Sequence, residues 1–260
     1  MAGRIALGGP SMRDDLWTRA RVTDRIDWAE GLLTLRLDLG LGFRAGQFVS
    51  LGLPGERGER VHRLFSIASA PGERLEFFGV RVEDGELSPD LADLGVGDAL
   101  WVHRDPQGTF TLDRVPDART LWLVATGTGL APYVSMLRTE EPWTRFERIV
   151  VVHGVRRLAD RAYATEIARR SAEHGGRLAQ VFAVSREKPE PGMFAGRVTD
   201  ALAHDRLAGL AGVELEPSSS HVMLCGHPAM IEEMERLLAE RSFRRNRRSS
   251  PGQVTAERYW

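Results

Sequence analysis

Residues 121–138, LWLVATGTGLAPYVSMLR, restrict the fold more than any other stretch of the chain. Leu121 to Ala125 form an unbroken apolar run of strand length, and Thr126, Gly127, Thr128 and Gly129 then lead into a turn whose backbone can approach a ligand closely. Pro132 falls in the first turn of the helix that should follow, where its missing N–H costs nothing. The free N–H groups and positive dipole end of such a helix favour a phosphate-bearing cofactor. The third glycine of the dinucleotide fingerprint is absent, so the meaning of the turn depends on its surroundings.

Those surroundings change character near residue 115. Between Thr18 and Leu112 the chain is a series of short, partly alternating segments: TRARVTDRI, LLTLRLDL, GQFVSLGL, RLFSIAS, LEFFGVRV, DALWVH and TFTL. Glycine, proline and acidic residues separate them, which predicts a small antiparallel barrel or sandwich of six or seven strands. Its one helical stretch is SPDLADL, with Ser88 as N-cap and Pro89 at the first position. After the polar connector 113–120, the runs LWLVAT, RIVVVHG, AQVFAVS and HVMLCG alternate with helical segments near 132–138, 160–173, 197–208 and 228–242. That alternation predicts an α/β domain with a parallel sheet covered on both faces. The expected organisation is a flexible extension over 1–16, a β-barrel domain over 17–115 and a nucleotide-binding α/β domain over 116–260.

Composition removes several function classes. The formal charge of −1 gives no global attraction to nucleic acid or to an acidic membrane surface. The single cysteine, Cys225, allows no internal disulfide and no thiolate-held cluster within the chain, and no metal site is expected. No signal-peptide pattern and no membrane-spanning apolar run is found, so the expected location is the cytoplasm.

In a parallel α/β sheet, ligands bind beyond the carboxyl ends of the strands. After the four runs the chain presents the glycine turn, HGVRR with Arg156, SRE with Ser185 and Arg186, and CGHPAM; Arg197 follows in AGRVTD. A site for NAD commonly sets an acid on the ribose hydroxyl, whereas a 2′-phosphate calls for arginine and hydroxyl donors. This set favours NADP over NAD.

At this point the chain resembles the ferredoxin–NADP reductases, in particular the bacterial ferredoxin or flavodoxin reductases that end in aromatic residues. The resemblance runs from Trp17 to Trp260 and rests on RLFSIAS, GELS, GTGLAP, SRE, CGHPAM and VTAERYW, in family order. It implies FAD in the barrel domain, with Arg63 on the pyrophosphate, Leu64 and Phe65 along the flavin and Ser66 beside its N5. Gly85 and Ser88 would also receive the pyrophosphate. Thr126, Gly127, Thr128 and Gly129 would take the pyrophosphate of NADP(H), and Arg156, Ser185, Arg186 and Arg197 its 2′-phosphate. Cys225 and Gly226 would meet the nicotinamide, with Glu257 nearby as a polar or proton-handling group. Tyr259 would stack on the isoalloxazine where nicotinamide must arrive, and Trp260 would reach the adenine. Ser66, Cys225, Glu257 and Tyr259 are thus the candidate catalytic group. Two residues depart from the family pattern: Phe65 stands for Tyr, and His227 for the Asn or Ser often found after Cys-Gly.

The implied activity is hydride exchange between NADP(H) and FAD, followed by one-electron exchange with ferredoxin or flavodoxin, NADPH oxidation being the expected direction. The chain is expected to be a monomer. For the acidic carrier, RSFRRNRR offers Arg244, Arg245, Arg247 and Arg248 as a docking surface; the competing reading of the same residues is a solvated helix face and turn. Two rival functions share the scaffold. One is the reductase component of an oxygenase, which often carries a fused cluster or haem domain; the other is a non-catalytic flavin-binding subunit, which would lack the NADP groups.

Overall fold

In the first strand, Ala20 and Val22 are buried while Arg19, Arg21 and Thr23 between and beside them are not. This two-residue period marks a strand with one face against a core. The computed structural model describes residues 16–55 and 59–258. Strands β1 (Trp17–Ala29), β2 (Leu32–Gly40), β3 (Phe48–Pro54), β4 (Arg60–Ser66), β5 (Arg74–Val80) and β6 (Ala99–His103) form one sheet in the order β4-β3-β6-β1-β2-β5. All its pairings are antiparallel. A bridge between Ile67 and Phe77, just past the end of β4, joins the two edges and closes the sheet into a barrel. Leu35, Leu37, Leu51, Leu75 and Val102 fill it, and Leu91 of helix α1 (Ser88–Asp93) packs with them.

Two local expectations are corrected here. Ser88 is the first residue of α1 and not its N-cap; its hydroxyl turns back to the N–H and carbonyl of Val82, both at 3.1 Å, leaving Leu87 at the cap. TFTL is no strand. Phe110 and Leu112 instead turn their apolar side chains toward the second half of the molecule, where Phe110 meets Tyr133 at a ring separation of 5.9 Å, and the chain passes into a 3₁₀ turn at Leu112–Arg114.

Strands β7 (Thr120–Thr126), β8 (Arg148–Val155), β9 (Leu178–Val184), β10 (Phe194–Ala195), β11 (Ser220–Gly226) and β12 (Val254–Arg258) make the second sheet, ordered β10-β9-β8-β7-β11-β12. It is parallel throughout. In β7, Leu121, Leu123 and Ala125 face α2 (Ala131–Leu137), α3 (Glu141–Arg145) and α4 (Ala164–Glu173). Trp122 and Val124 face α5 (Val198–Ala203), α6 (Leu207–Ala211) and α7 (Pro228–Glu240) on the other side. Burial of both faces is why the sequence there is continuously apolar. The expected helix over 160–173 starts later, because residues 158–160 form a 3₁₀ turn and Tyr163 adopts a left-handed φ of 60°. The expected helix over 197–208 is two, divided at Asp205, which has φ 51°. Helix α3 and the edge strands β10 and β12 carry no clear sequence signal. Among the described residues, no helix is long and apolar enough to cross a membrane.

The two sheets share a core. One apolar cluster joins Leu32, Ala68, Phe78, Phe110 and Val115 from the first half to Leu123, Tyr133, Leu137 and Ile167 from the second. Beside it, the Glu76 carboxylate of β5, 3% exposed, accepts from Arg36 Nε at 2.7 Å, Arg138 Nη1 at 2.9 Å and the Tyr163 hydroxyl at 2.9 Å. Arg138 also grips Glu166 with Nε and Nη2, both at 2.7 Å. Tyr163 lies 2.6 Å from the Thr34 hydroxyl, which accepts from the Trp28 indole at 2.9 Å. Tyr163→Phe removes the hydroxyl from the middle of this chain, and should lower unfolding free energy by about 1–3 kcal/mol. Urea denaturation followed by far-UV circular dichroism and by tryptophan fluorescence should give coincident transitions for both proteins.

Candidate active site

The carboxyl ends of the parallel strands and the end of β4 meet along one side of the molecule. At the end of β7, Thr126 is extended and Gly127 turns with φ 52°, with no atom within 4 Å of where a side chain would begin. Gly129 is different: a Cβ there would lie 2.5 Å from the Cys225 carbonyl oxygen and 2.8 Å from Gly226 Cα. Gly226, at φ 136°, is packed against Thr126 just as closely, and the Thr126 hydroxyl accepts from His227 N–H at 3.1 Å. The glycine turn and the Cys225–His227 turn are therefore in direct backbone contact. Thr128 sits half-buried between them and solvent.

Two histidines that the sequence left without a role support this arrangement. His153, in the apolar strand β8, is fully buried; its Nε2 is 3.1 Å from the Gly127 carbonyl oxygen, and burial depresses its pKa to about 4. The neutral ring therefore donates from Nε2 and fixes the carbonyl of the turn. His227 is the N-cap of α7, its Nδ1 accepting from Ala229 N–H at 3.2 Å. Its place directly before Pro228 was the available signal.

The arginine set gathers next to the turn. Ser185 N–H and Oγ both donate to the Val155 carbonyl, at 3.1 and 3.2 Å, and Arg186 N–H donates to the Arg156 carbonyl at 2.9 Å. Gly196 N–H bonds to Val184 O at 2.8 Å and brings Arg197 alongside. Arg156, Arg186 and Arg197 are exposed, and none forms an ion pair among the described residues. Free guanidinium groups around a surface with hydroxyl donors suit a phosphate.

On the barrel side, Ser66 is 3% exposed and its hydroxyl has no hydrogen-bond partner. A buried unpaired hydroxyl is costly, and a bound polar ligand is one way to satisfy it. Leu64 is 56% exposed, and Phe65 is half-buried against Gly79 and Leu91. Arg63 pairs with Glu86, and both are exposed, so the pair is weak enough to yield to a phosphate. Gly85 N–H bonds to Val82 O at 2.9 Å, and Ser88 lies so close that a Cβ at Gly85 would be 2.6 Å from its hydroxyl. A dinucleotide carrying a flat ring, laid along β4 toward Ser66, fits these features.

Cys225 and Glu257 close the site from the second sheet. They face each other in register on β11 and β12. The Cys225 thiol is fully buried, and burial together with Glu257 pushes its pKa well up, so it is a thiol and not a nucleophilic thiolate. Glu257 projects toward the barrel, its Oε1 3.5 Å from the Cβ position of Gly108, which also touches Phe48. Phe48 is the cross-strand partner of Ser66, so Ser66 and Glu257 flank one point of the barrel. Burial raises the Glu257 carboxyl to a pKa of about 7. Tyr259 and Trp260 lie outside the described residues. The structure does not bring Arg244, Arg245, Arg247 and Arg248 to this place. They lie in an exposed loop beyond the end of α7, at the amino end of β12, with Arg245 3.5 Å from Glu235.

Known proteins carry the same organisation. Residues 123–236 match the family model described as oxidoreductase NAD-binding domain. The flavodoxin/ferredoxin–NADP reductase of Escherichia coli K12 is 39% identical over 247 residues, covering 94% of this chain and 99% of that protein. The chain belongs to the flavodoxin/ferredoxin–NADP reductase family. Another member, from Buchnera aphidicola of Baizongia pistaciae, is 33% identical over 94% of this chain and 99% of its own. A ferredoxin NADP+ reductase from Neisseria gonorrhoeae, crystallised with FAD and NADP, superposes with a TM-score of 0.88 at 25% identity, covering 94% of this chain and 99% of that one.

In this reductase, the raised pKa of Glu257 has a consequence for stability. A carboxyl that binds its proton more tightly when folded contributes most at low pH, and the contribution is lost as pH rises from the unfolded value through the folded pKa of about 7. Glu257→Gln should therefore gain stability relative to the parent as pH rises from about 4.5 to 7.5. Urea midpoints of the two proteins across that range read the difference; parallel curves would contradict the assignment.

Proposed function

We propose that the chain is an FAD-dependent ferredoxin/flavodoxin–NADP reductase whose site lies between the end of β4 and the carboxyl ends of β7, β8, β9, β11 and β12. What carries the reading is the meeting of Ser66, Cys225 and Glu257 beside the glycine turn, in a chain aligned with a family member over 94% of its length. FAD when bound supplies what no side chain can, taking up a hydride from NADPH and releasing electrons singly to a carrier.

The residues of the chain bind, orient and handle protons. Arg63 and the loop around Gly85 and Ser88 hold the FAD pyrophosphate, while Leu64 and Phe65 lie along its ring. The Ser66 hydroxyl, buried and unpaired, is the donor that fixes the ring edge. Phe65 keeps the apolar surface of the family's Tyr but brings no phenol hydrogen bond. Thr126, Gly127, Thr128 and Gly129 receive the pyrophosphate of NADP(H), and Arg156, Ser185, Arg186 and Arg197 its 2′-phosphate. Cys225, held as a neutral thiol, and Gly226 provide a small, uncharged wall for the nicotinamide. Glu257 holds a proton near neutral pH and releases it as pH rises through about 7.

The electron partner is a ferredoxin or a flavodoxin, the carriers named for the relatives. Docking through Arg244, Arg245, Arg247 and Arg248 would use the loop before β12, which touches the end of the barrel half through Asn246 Nδ2 and the Arg114 carbonyl at 2.9 Å.

Anaerobic titration tests the reading directly. NADPH should bleach the flavin absorbance near 450 nm at low concentration, and NADH only at much higher concentration; indifference to both would overturn the function. In Arg156→Ala and Arg186→Ala, KM for NADPH should rise roughly ten- to a hundredfold, as expected for losing a charge-assisted contact of about 1.5–3 kcal/mol. KM for NADH should stay unchanged in steady-state assays with ferricyanide as acceptor.

A further inference from the structure

Helix α2 is continuous with the glycine turn at its start, yet the side chains of its Ser135 and of Arg138, the residue that caps its end, reach into the other half of the molecule. Ser135 Oγ donates to the Ser69 carbonyl at 2.6 Å, and Arg138 Nη1 donates to the Ala68 carbonyl at 3.0 Å. Ala68 and Ser69 follow Ser66 directly in the chain, separated from it only by Ile67. We propose that Ser135 and Arg138 are positioning residues for hydride transfer, setting the distance between the flavin-contacting end of β4 and the turn that holds the nicotinamide coenzyme. The proposal rests on the reductase reading above.

Both ends of the link are rigid. On the barrel side, Ile67 N–H bonds to Gln47 O at 3.0 Å, Ala68 N–H to Glu76 O at 2.8 Å, and Ser69 Oγ accepts from Glu76 N–H at 3.2 Å. The backbone just past Ser66 cannot shift without breaking this set. On the other side, the Tyr133 hydroxyl donates to Met223 O at 2.7 Å and approaches Val124 O at 3.2 Å, tying α2 to β7 and β11. Those two strands end in Thr126 and Cys225–Gly226. Arg138 is held between Glu166 and Glu76, with only 7% of its side chain exposed.

Ser135 is the more telling residue. Its side chain is completely buried in a helix whose every residue is buried. A serine there is a poorer helix former than alanine and would ordinarily bond to its own helix backbone. Its hydroxyl instead crosses to the other sheet. A reacting pair must be held near 3–3.5 Å, and a misplacement of about 1 Å can cost on the order of a hundredfold in rate. A cross-link from the helix that follows the glycine turn to the backbone just past Ser66 is placed to control that separation.

The test compares wild-type FAD-loaded enzyme with Ser135→Ala and Arg138→Lys. Stopped-flow reduction by NADPH and by NADPH deuterated at C4 gives the limiting rate and its isotope effect. NADPH Kd, flavin content and melting temperature are measured alongside, with backbone hydrogen exchange of the peptide spanning 64–70 in the presence and absence of flavin. In Ser135→Ala the limiting rate should fall about tenfold or more, a fraction of the full misplacement penalty, and the isotope effect should change. Kd and flavin content should remain within about twofold of wild type, the order of change expected at a site not in contact with either ligand. Exchange over 64–70 should accelerate with other segments unchanged. Arg138→Lys, which keeps a charge between Glu76 and Glu166 but lacks the fork, should fall between the two. An unchanged rate and isotope effect in Ser135→Ala would overturn the proposal, and so would a slower rate that merely follows flavin loss or faster exchange everywhere. Failure of wild type itself to be reduced by NADPH would instead overturn the reductase reading, and is read separately from the exchange arm.

Discussion

A carboxylate cannot be left unpaired in a protein interior, and Glu76 is placed where only the other half of the molecule can complete its pairing. Arg36, from the same barrel, serves one carboxylate oxygen, and Arg138 and Tyr163, from the α/β half, serve the other. Tyr163 holds its hydroxyl there from a left-handed backbone, φ 60°, a conformation costing on the order of 1 kcal/mol for such a residue. The apolar cluster around this group contains residues of both sheets, so the contact resembles the middle of a domain more than a surface between two.

The geometry of the proposed reductase site follows from that fixed contact. Its parts come from both halves: a hydroxyl on β4, a glycine turn after β7, a thiol on β11 and a carboxyl on β12. None of these elements could define the site by itself. The relative placement of the halves does so, and the register between β11 and β12 then sets Glu257 beside Cys225. Burial, and no neighbouring charge, is what lifts the Glu257 carboxyl into the neutral range.

Much of this was legible in the sequence where the signal was local. The apolar run of β7, the glycine turn and the change of period near residue 115 follow from short-range rules, and they gave the two-sheet architecture. The motifs of the flavin strand and of SRE and CGHPAM had meaning through their order along the chain. Other features had no local signature. VTAER, an edge strand with half-buried polar residues, reads as a tail until its pairing with β11 is seen. TFTL has the alternation of a strand, but its apolar residues are used against α2 and its neighbours. The Tyr163–Glu76 bond joins residues 87 positions apart, and Ser135–Ser69 joins residues 66 apart. Window-based patterns are blind at such separations. His153 shows the same limit on a smaller scale: a polar residue in an apolar strand was visible, but the carbonyl it serves was not.

The close packing of Gly129 against Cys225 and of Gly226 against Thr126 bears on how such an enzyme can evolve. Any side chain added at either glycine would push one binding loop into the other, so changes there disturb both at once. The exposed arginines beyond β8 and β9 have no such neighbours. Adaptation to a different nicotinamide coenzyme would thereby be channelled to the rim proposed to read the ribose phosphate, while the two glycine-bearing loops are held constant by their own contact. Variation among descendants should accumulate in Arg156, Arg186 and Arg197 before it reaches the glycines.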